Sequence, residues 1–295
     1  MNEKKCIAPN ECSTVRWIVT LLVGSLIGMV GSVPLISLMN DTANSFMGIP
    51  YSSLFTILSF IPMMIGVVIA IKFIAKTSIK DFILGVGGKI SKKMCLKVFI
   101  LFTVGFYIPV LIVFYNVKAN QVDPGQYFFT FIFMLLTAWI QTTYEEFFFR
   151  GIFIRWACKN SIGYSKKSMI ALLLCSLLFM LFHITNPEVT TQTGIDIVFA
   201  LLAYLIPGIA YFVADLHFGS LIPGIIMHWV NNFTLFTIIN SNVSVVTSPV
   251  LFTDTTTATG GFLFLSTILT HAPIIIYIII DVIRRKKTAV NTNND

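Results

Sequence analysis

The sequence predicts an all-α fold, a polytopic transmembrane helical bundle of about eight spans with both termini cytoplasmic. Three observations carry that expectation. Of 295 residues 56% are hydrophobic and only 11% charged, whereas a soluble domain carries about 25% charged residues. Apolar runs recur along the whole chain at about 20 residues, the length that crosses a hydrocarbon core. Finally, all but one of the 20 Lys and Arg fall in alternate connections between those runs, the bias that marks cytoplasmic loops.

The spans are expected at Trp17 to Leu38, Tyr51 to Ala75, Leu96 to Phe114, Tyr127 to Ala157, Met169 to Ile184, Ile195 to Val213, Leu221 to Ile239 and Phe262 to Ile280. Met1 to Arg16 is polar, and the run after it lacks a small-residue cleavage site, so it reads as a retained first span. Basic residues gather before the first span, between Lys72 and Lys97, between Arg150 and Lys167, and from Arg284 to Lys287, leaving Lys118 alone on the other side. An odd number of spans would scramble this asymmetry. Lys76 to Lys93 reads as a polar cytoplasmic loop with a short surface helix. Asn240 to Gly261, rich in Thr and Ser, reads as an outward loop. The expected location is the cell membrane, crossed many times.

The net charge of +7 does not point to nucleic acid, because the basic residues sit at the ends of apolar runs and form no continuous face. Five cysteines (Cys6, Cys12, Cys95, Cys158, Cys175) without CxxC spacing suggest free thiols rather than a disulfide framework or zinc knuckle.

Ionisable groups inside a span are costly and mark function by default. Here they cluster in three expected spans: Tyr144-Glu145-Glu146 through Arg150 in the fourth, Phe179 through His183 in the fifth, and His228 through Asn232 in the seventh. Glu146 and Arg150 stand at i and i+4 with the acid first, the favourable order for pairing. Glu145 is rotated by about 100° from Glu146, so it can face a cavity while its neighbour is held by Arg150. His228 and Asn232, also at i and i+4, share a helical face, and Phe179 lies one turn before His183 and can pack on its ring. Taken singly, each cluster also admits a plain reading, as a helix-end charge cluster or as hydrogen-bonding glue between helices. His217, in a short loop with Gly219, and His271, in the last span, read as structural. Asp196 and Asp215 read as interfacial residues at the ends of the sixth span.

Depth tests the three clusters together. If the fourth span meets the inner surface near Lys159, Glu145 is about 21 Å in and His183 about 24 Å in, with Asn232 at about 18 Å and His228 at about 12 Å. The three helices then bring their polar groups to comparable levels. A fourth span ending at Arg150 would leave Glu145 near the surface.

Glu-Glu followed after three residues by Arg, then Phe-x-x-x-His, then His-x-x-x-Asn, resembles the CPBP family of intramembrane glutamic endopeptidases, which includes CAAX-type proteases and bacterial proteins of bacteriocin processing and self-immunity. The resemblance covers about Tyr127 to Asn240. It implies that Glu145 activates a water, that His183 helps position it, that His228 and Asn232 stabilise the oxyanion, and that Glu146 and Arg150 shape the site. It divides the chain into residues 1–126 (three spans and a cytoplasmic loop), 127–240 (catalytic core) and 241–295 (outward loop, last span and basic tail).

The same chemistry follows from residue types: peptide hydrolysis needs a polarised water and donors for the developing oxyanion, and neither a serine nor a cysteine nucleophile is required. Water must enter, so the site is expected to open to the cytoplasm or to lipid. A zinc protease is disfavoured because no HExxH helix is present, and no metal or other cofactor is expected. The expected partners are a peptide or protein substrate and the lipid bilayer, with no nucleic acid. The substrate would be a CAAX-like tail or a bacteriocin or peptide precursor. The competing readings are a catalytically silent immunity or signalling partner that keeps the fold, and a small transporter using the carboxylates as a proton relay.

Overall fold

The computed structural model describes residues 12–39, 44–85, 88–112, 117–158, 162–241, 243–254 and 259–291. Helix α1 (Thr14–Met39) is followed by a two-stranded hairpin, β1 (Ser45–Phe46) and β2 (Ile49–Pro50), then by α2 (Tyr51–Phe73), the short α3 (Ile79–Leu84) and α4 (Lys92–Ile112). Strand β3 (Val117–Ala119) leads to a long helix made of α5 (Pro124–Glu145), a π-helical turn (Glu146–Gly151) and α6 (Ile152–Cys158). Then come α7 (Lys166–Phe182), α8 (Pro187–Thr190), α9 (Ile195–Phe218), α10 (Ile222–Thr237), β4 (Ile239–Ser241), β5 (Phe252–Asp254) and α11 (Gly260–Asn291).

Among the described residues five helices are long and apolar enough to cross a membrane: Thr14–Leu35, Tyr51–Phe73, Pro124–Cys158, Ile195–Phe218 and Gly260–Arg285. Three shorter helices, α4, α7 and α10, complete the set that the sequence reads as spans. Helices α5 and α7 start where local chemistry supplies caps. Asp123 accepts from Gln126 N–H at 2.8 Å with Pro124 in the first turn. Ser165 and Ser168 exchange side-chain and backbone bonds at the head of α7, which satisfies donors that a helix start leaves orphaned.

Two sets of contacts define the ends of the bundle. At one end β5 pairs antiparallel with β3 and parallel with β4, so a segment expected to be wholly loop holds two of the three strands of a small sheet. Three-residue strands are too short to show alternation in sequence. The same end is tied by Ser53 to Thr247, Val245 N–H to Glu188 and Gly261 N–H to Asp196. We call it the capped end. At the other end Trp156 bonds Thr14, Lys97 bonds Tyr277 and Arg155 Nε donates to the Phe82 carbonyl at 2.6 Å. The Lys- and Arg-rich connections gather here, and we call it the basic end.

The short helix expected on the surface of the basic loop exists as α3, but Phe82 is fully buried and Leu84 nearly so. Its apolar face packs beneath the bundle against Trp17 and Phe147. His217 lies not in a loop but in the last turn of α9, which runs on to Phe218 and ends at Gly219 with φ 73°. The ring of His217 meets Asp281 at 3.0 Å, a structural pairing as expected.

Candidate active site

The fourth helix decides the geometry. It does not end at Arg150 but continues to Cys158; Lys159, the expected boundary, lies outside the described residues. The continuation is not a plain α-helix. Ile152 N–H reaches back five residues to the Phe147 carbonyl, the bond of a π turn, a rare feature that concentrates at functional sites.

Within that turn Glu146 and Arg150 are both fully buried and form an ion pair through Oε1 and Nη1. The guanidinium lies between the rings of Phe179 (4.7 Å) and Tyr211 (4.9 Å). A buried cation needs such compensation because removal from water is expensive. Glu146 Oε1 also meets His228 Nδ1 at 2.6 Å. Glu145, on its own bearing, faces a cavity of about 380 Å³, with Oε1 accepting from Gln141 at 3.2 Å and Oε2 lying 3.5 Å from His228 Nε2. His228 therefore stands between the two acids, one ring nitrogen toward each.

His183, at the C-terminal end of α7, lines the same cavity. Its Nδ1 is 2.7 Å from the Phe179 carbonyl. A carbonyl can only accept, so Nδ1 carries the proton and Nε2 presents a lone pair. The ring is held between Phe179 (4.5 Å) and Tyr204 (4.3 Å, nearly parallel). Asn232 lines the cavity one helical turn beyond His228 and accepts from Asn231 at 3.1 Å. The structure thus brings Glu145, His183, His228 and Asn232 to one cavity, with Glu146 and Arg150 packed behind it. Among the described residues no three of His, Cys, Asp and Glu are arranged as a metal-ligand set.

The cavity is flanked by Thr56, Phe60 and Met63 of α2 and by Phe179 and Phe182 of α7, and it continues to Ser244 and Val246 at the capped end. No residue of α3 or of the basic connections lines it, because α3 and the Arg155–Phe82 contact close that end. An opening to the cytoplasm or to lipid is expected; among the described residues the lining includes side chains of α2 and α7 and none from the basic connections.

Sequence reasoning missed several residues here. Asp215 is not interfacial: it is fully buried behind the site, and its Oδ1 accepts from Gly224 N–H at 2.8 Å. The head of α10 has no cap of its own, so Asp215 caps it from the neighbouring helix, one turn before His228. A Cβ on Gly224 would lie 2.9 Å from both Asp215 Oδ2 and Glu146 Oε2, so only glycine lets the two carboxylates approach across this point. Tyr204, Tyr211 and Gln141 are likewise in contact with the motif residues without belonging to any motif.

A helical membrane protein with a buried cluster of carboxylates and imidazoles is the class that fold and site define. The family model for Rce1-like type II CAAX prenyl endopeptidases matches residues 127–234, just over a third of the chain, so this stretch is similar to that family. The similarity supports protease activity of the intramembrane CAAX type. No curated protein matches the chain.

Proposed function

We propose that the protein is an intramembrane glutamic endopeptidase that hydrolyses one peptide bond in a CAAX-like tail or a peptide precursor such as a bacteriocin leader. The observation that supports this most directly is that Glu145 alone of the two acids faces the cavity shared with His183, His228 and Asn232. Glu145 takes a proton from a water whose second contact is His183 Nε2. The resulting hydroxide adds to the carbonyl carbon. The carbonyl oxygen becomes an oxyanion, met by the Asn232 amide N–H and by the His228 imidazole, whose Nδ1 rests on Glu146. Collapse breaks the C–N bond, and the leaving amine takes the proton from Glu145. Protons and charges balance without a metal or a covalent intermediate.

The test is cleavage of a peptide library by purified protein alongside Glu145→Ala and His183→Ala. General-base loss is expected to lower kcat by about 10²–10⁴-fold, with thermal stability close to wild type. Equal cleavage by all three proteins would remove the assignment. A cellular phenotype that survives both substitutions would instead favour the silent-partner reading.

A further inference from the structure

The His183 ring needs a wall on each side, and its own helix supplies only one. The residue is the C-cap of α7, where the chain bends back so that Asn186 N–H donates to the His183 carbonyl at 3.0 Å. A side chain inside a helix has neighbours one turn before and one turn after it. His183 has Phe179 before it, and the chain turns away after it. Its Nδ1 rests on the Phe179 carbonyl at 2.7 Å, which fixes one edge of the imidazole and leaves the plane free to rock about that bond. The second wall comes from α9: the Tyr204 ring lies 4.3 Å from the imidazole, with 23° between the two planes.

Tyr204 is itself held at its far end. The hydroxyl accepts from Asn186 Nδ2 at 3.0 Å and donates to Glu188 Oε2 at 3.4 Å, so its proton and one lone pair are both engaged. Asn186 is the N-cap of α8, a position where an asparagine side chain usually accepts from the first turn. Here it makes no side-chain cap bond; its amide is turned to the tyrosine. Glu188 Oε1 accepts in turn from Val245 N–H at 3.3 Å, so both carboxylate oxygens are used, and the tether reaches the segment that lines the cavity at the capped end.

We propose that Tyr204 is a positioning residue for the hydrolysis: anchored by Asn186 and Glu188, it holds the His183 ring so that Nε2 meets the water activated by Glu145. It acts through His183, not on the substrate. The inference rests on the endopeptidase reading, and the experiment has one arm that does not. In the first arm, peptide cleavage is compared for Tyr204→Leu, Tyr204→Phe, His183→Ala and the Tyr204→Leu/His183→Ala double variant. Misplacing a reacting group by about 1 Å costs on the order of 10²-fold, so Tyr204→Leu is expected to lower kcat by about that factor with KM near wild type. Tyr204→Phe keeps the plane and loses the tether, and is expected to fall between the two. On top of His183→Ala the tyrosine substitution is expected to add nothing, because residues that act as a unit are not additive. Wild-type kcat in Tyr204→Leu, or a full second loss in the double variant, overturns the proposal. Should Tyr204→Leu not fold, Asn186→Ala, in the turn before α8, replaces it. It is expected to lower kcat several-fold, again only while His183 is present, and an unchanged kcat overturns the proposal.

In the second arm, the full chain in detergent carries ring-labelled histidine for NMR, and the His183 signals are assigned among those of the four histidines by their loss in His183→Ala. An aromatic ring stacked face on moves its neighbour's protons upfield. The His183 ring protons are expected upfield in wild type and in Tyr204→Phe, and to move downfield and broaden in Tyr204→Leu. Unchanged His183 signals in Tyr204→Leu overturn the proposal. Failure of every peptide to be cut would instead overturn the endopeptidase reading, leaving the ring signals to decide whether Tyr204 sets His183.

Discussion

Helices α1 and α2 meet through glycines, whereas the helices around Glu146 meet through charges. In the first region Gly28 lies so close to α2 that a Cβ would stand 2.6 Å from the Met63 Cα, and one on Gly66 would stand 2.5 Å from the Gly24 carbonyl. Small residues that let backbones approach are the usual means of association in a bilayer, where hydrophobic burial between helices adds little. In the second region Arg150, Glu146, Asp215 and His228 are all nearly or fully buried. Such a network is weak evidence of stability, since removing ions from water costs about as much as pairing returns. The glycine seam serves packing; the charged network holds the His228 ring on Glu146 through Nδ1.

The sharpest way to break this contrast is Arg150→Met. It strands Glu146 in a dry interior and is expected to cost about 3–5 kcal/mol of stability, read by unfolding in detergent, together with loss of cleavage. Little loss of stability would mean that the network is not buried as described. Next comes Gly28→Leu. Overpacking at a backbone contact is expected to cost about 1–3 kcal/mol, while kcat per folded molecule stays near wild type; a selective loss of kcat would tie α1 to catalysis.

Asp215 gives a finer comparison. Asp215→Ala leaves Gly224 N–H buried and unpaired, at a cost of about 1–3 kcal/mol, and lowers kcat more than KM. Asp215→Asn keeps an acceptor and is expected to restore most of both. Equal effects of the two variants would show that charge, not capping, is what matters.

The smallest effect concerns Cys12, at the foot of α1. Burial pushes its thiol up to about 11, against a smaller opposing pull from Arg16. A raised value means less thiolate at neutral pH, by about 10²-fold relative to an ordinary thiol of pKa about 8.5, and alkylation that accelerates as pH rises toward 11. In Gly28→Leu, an undocked α1 would return Cys12 to ordinary reactivity. Unchanged alkylation would show that the helix stays seated.

Much of the site was legible because its motifs are local. Glu146 and Arg150, or His228 and Asn232, are neighbours on one helix, and spacing alone reports that. The shared cavity of Glu145, His183 and His228 was reached by counting helical rise from the ends of the spans, and it depended on the fourth helix passing Arg150. Contacts that run between helices were not legible. Nothing in the sequence around Asp215 says that it faces Gly224, and a carboxylate near a helix end reads equally well as interfacial. Tyr204 and Tyr211 carry no spacing signal either, since aromatics in apolar helices are ordinary. The sheet at the capped end escaped because its strands are three residues long and lie in a polar segment.

The π turn between Glu146 and Gly151 has a consequence for descent. A π turn amounts to one residue inserted into an α-helix. Losing a single residue between Glu146 and Arg150 would restore a plain α-helix and leave the stretch to Cys158 in phase, with Arg155 still at the Phe82 carbonyl and Trp156 at Thr14. What would change is the spacing inside the turn, which would bring Arg150 to three residues from Glu146 instead of four. The turn is thus a place where the helix can gain or lose one residue while both of its halves keep their neighbours.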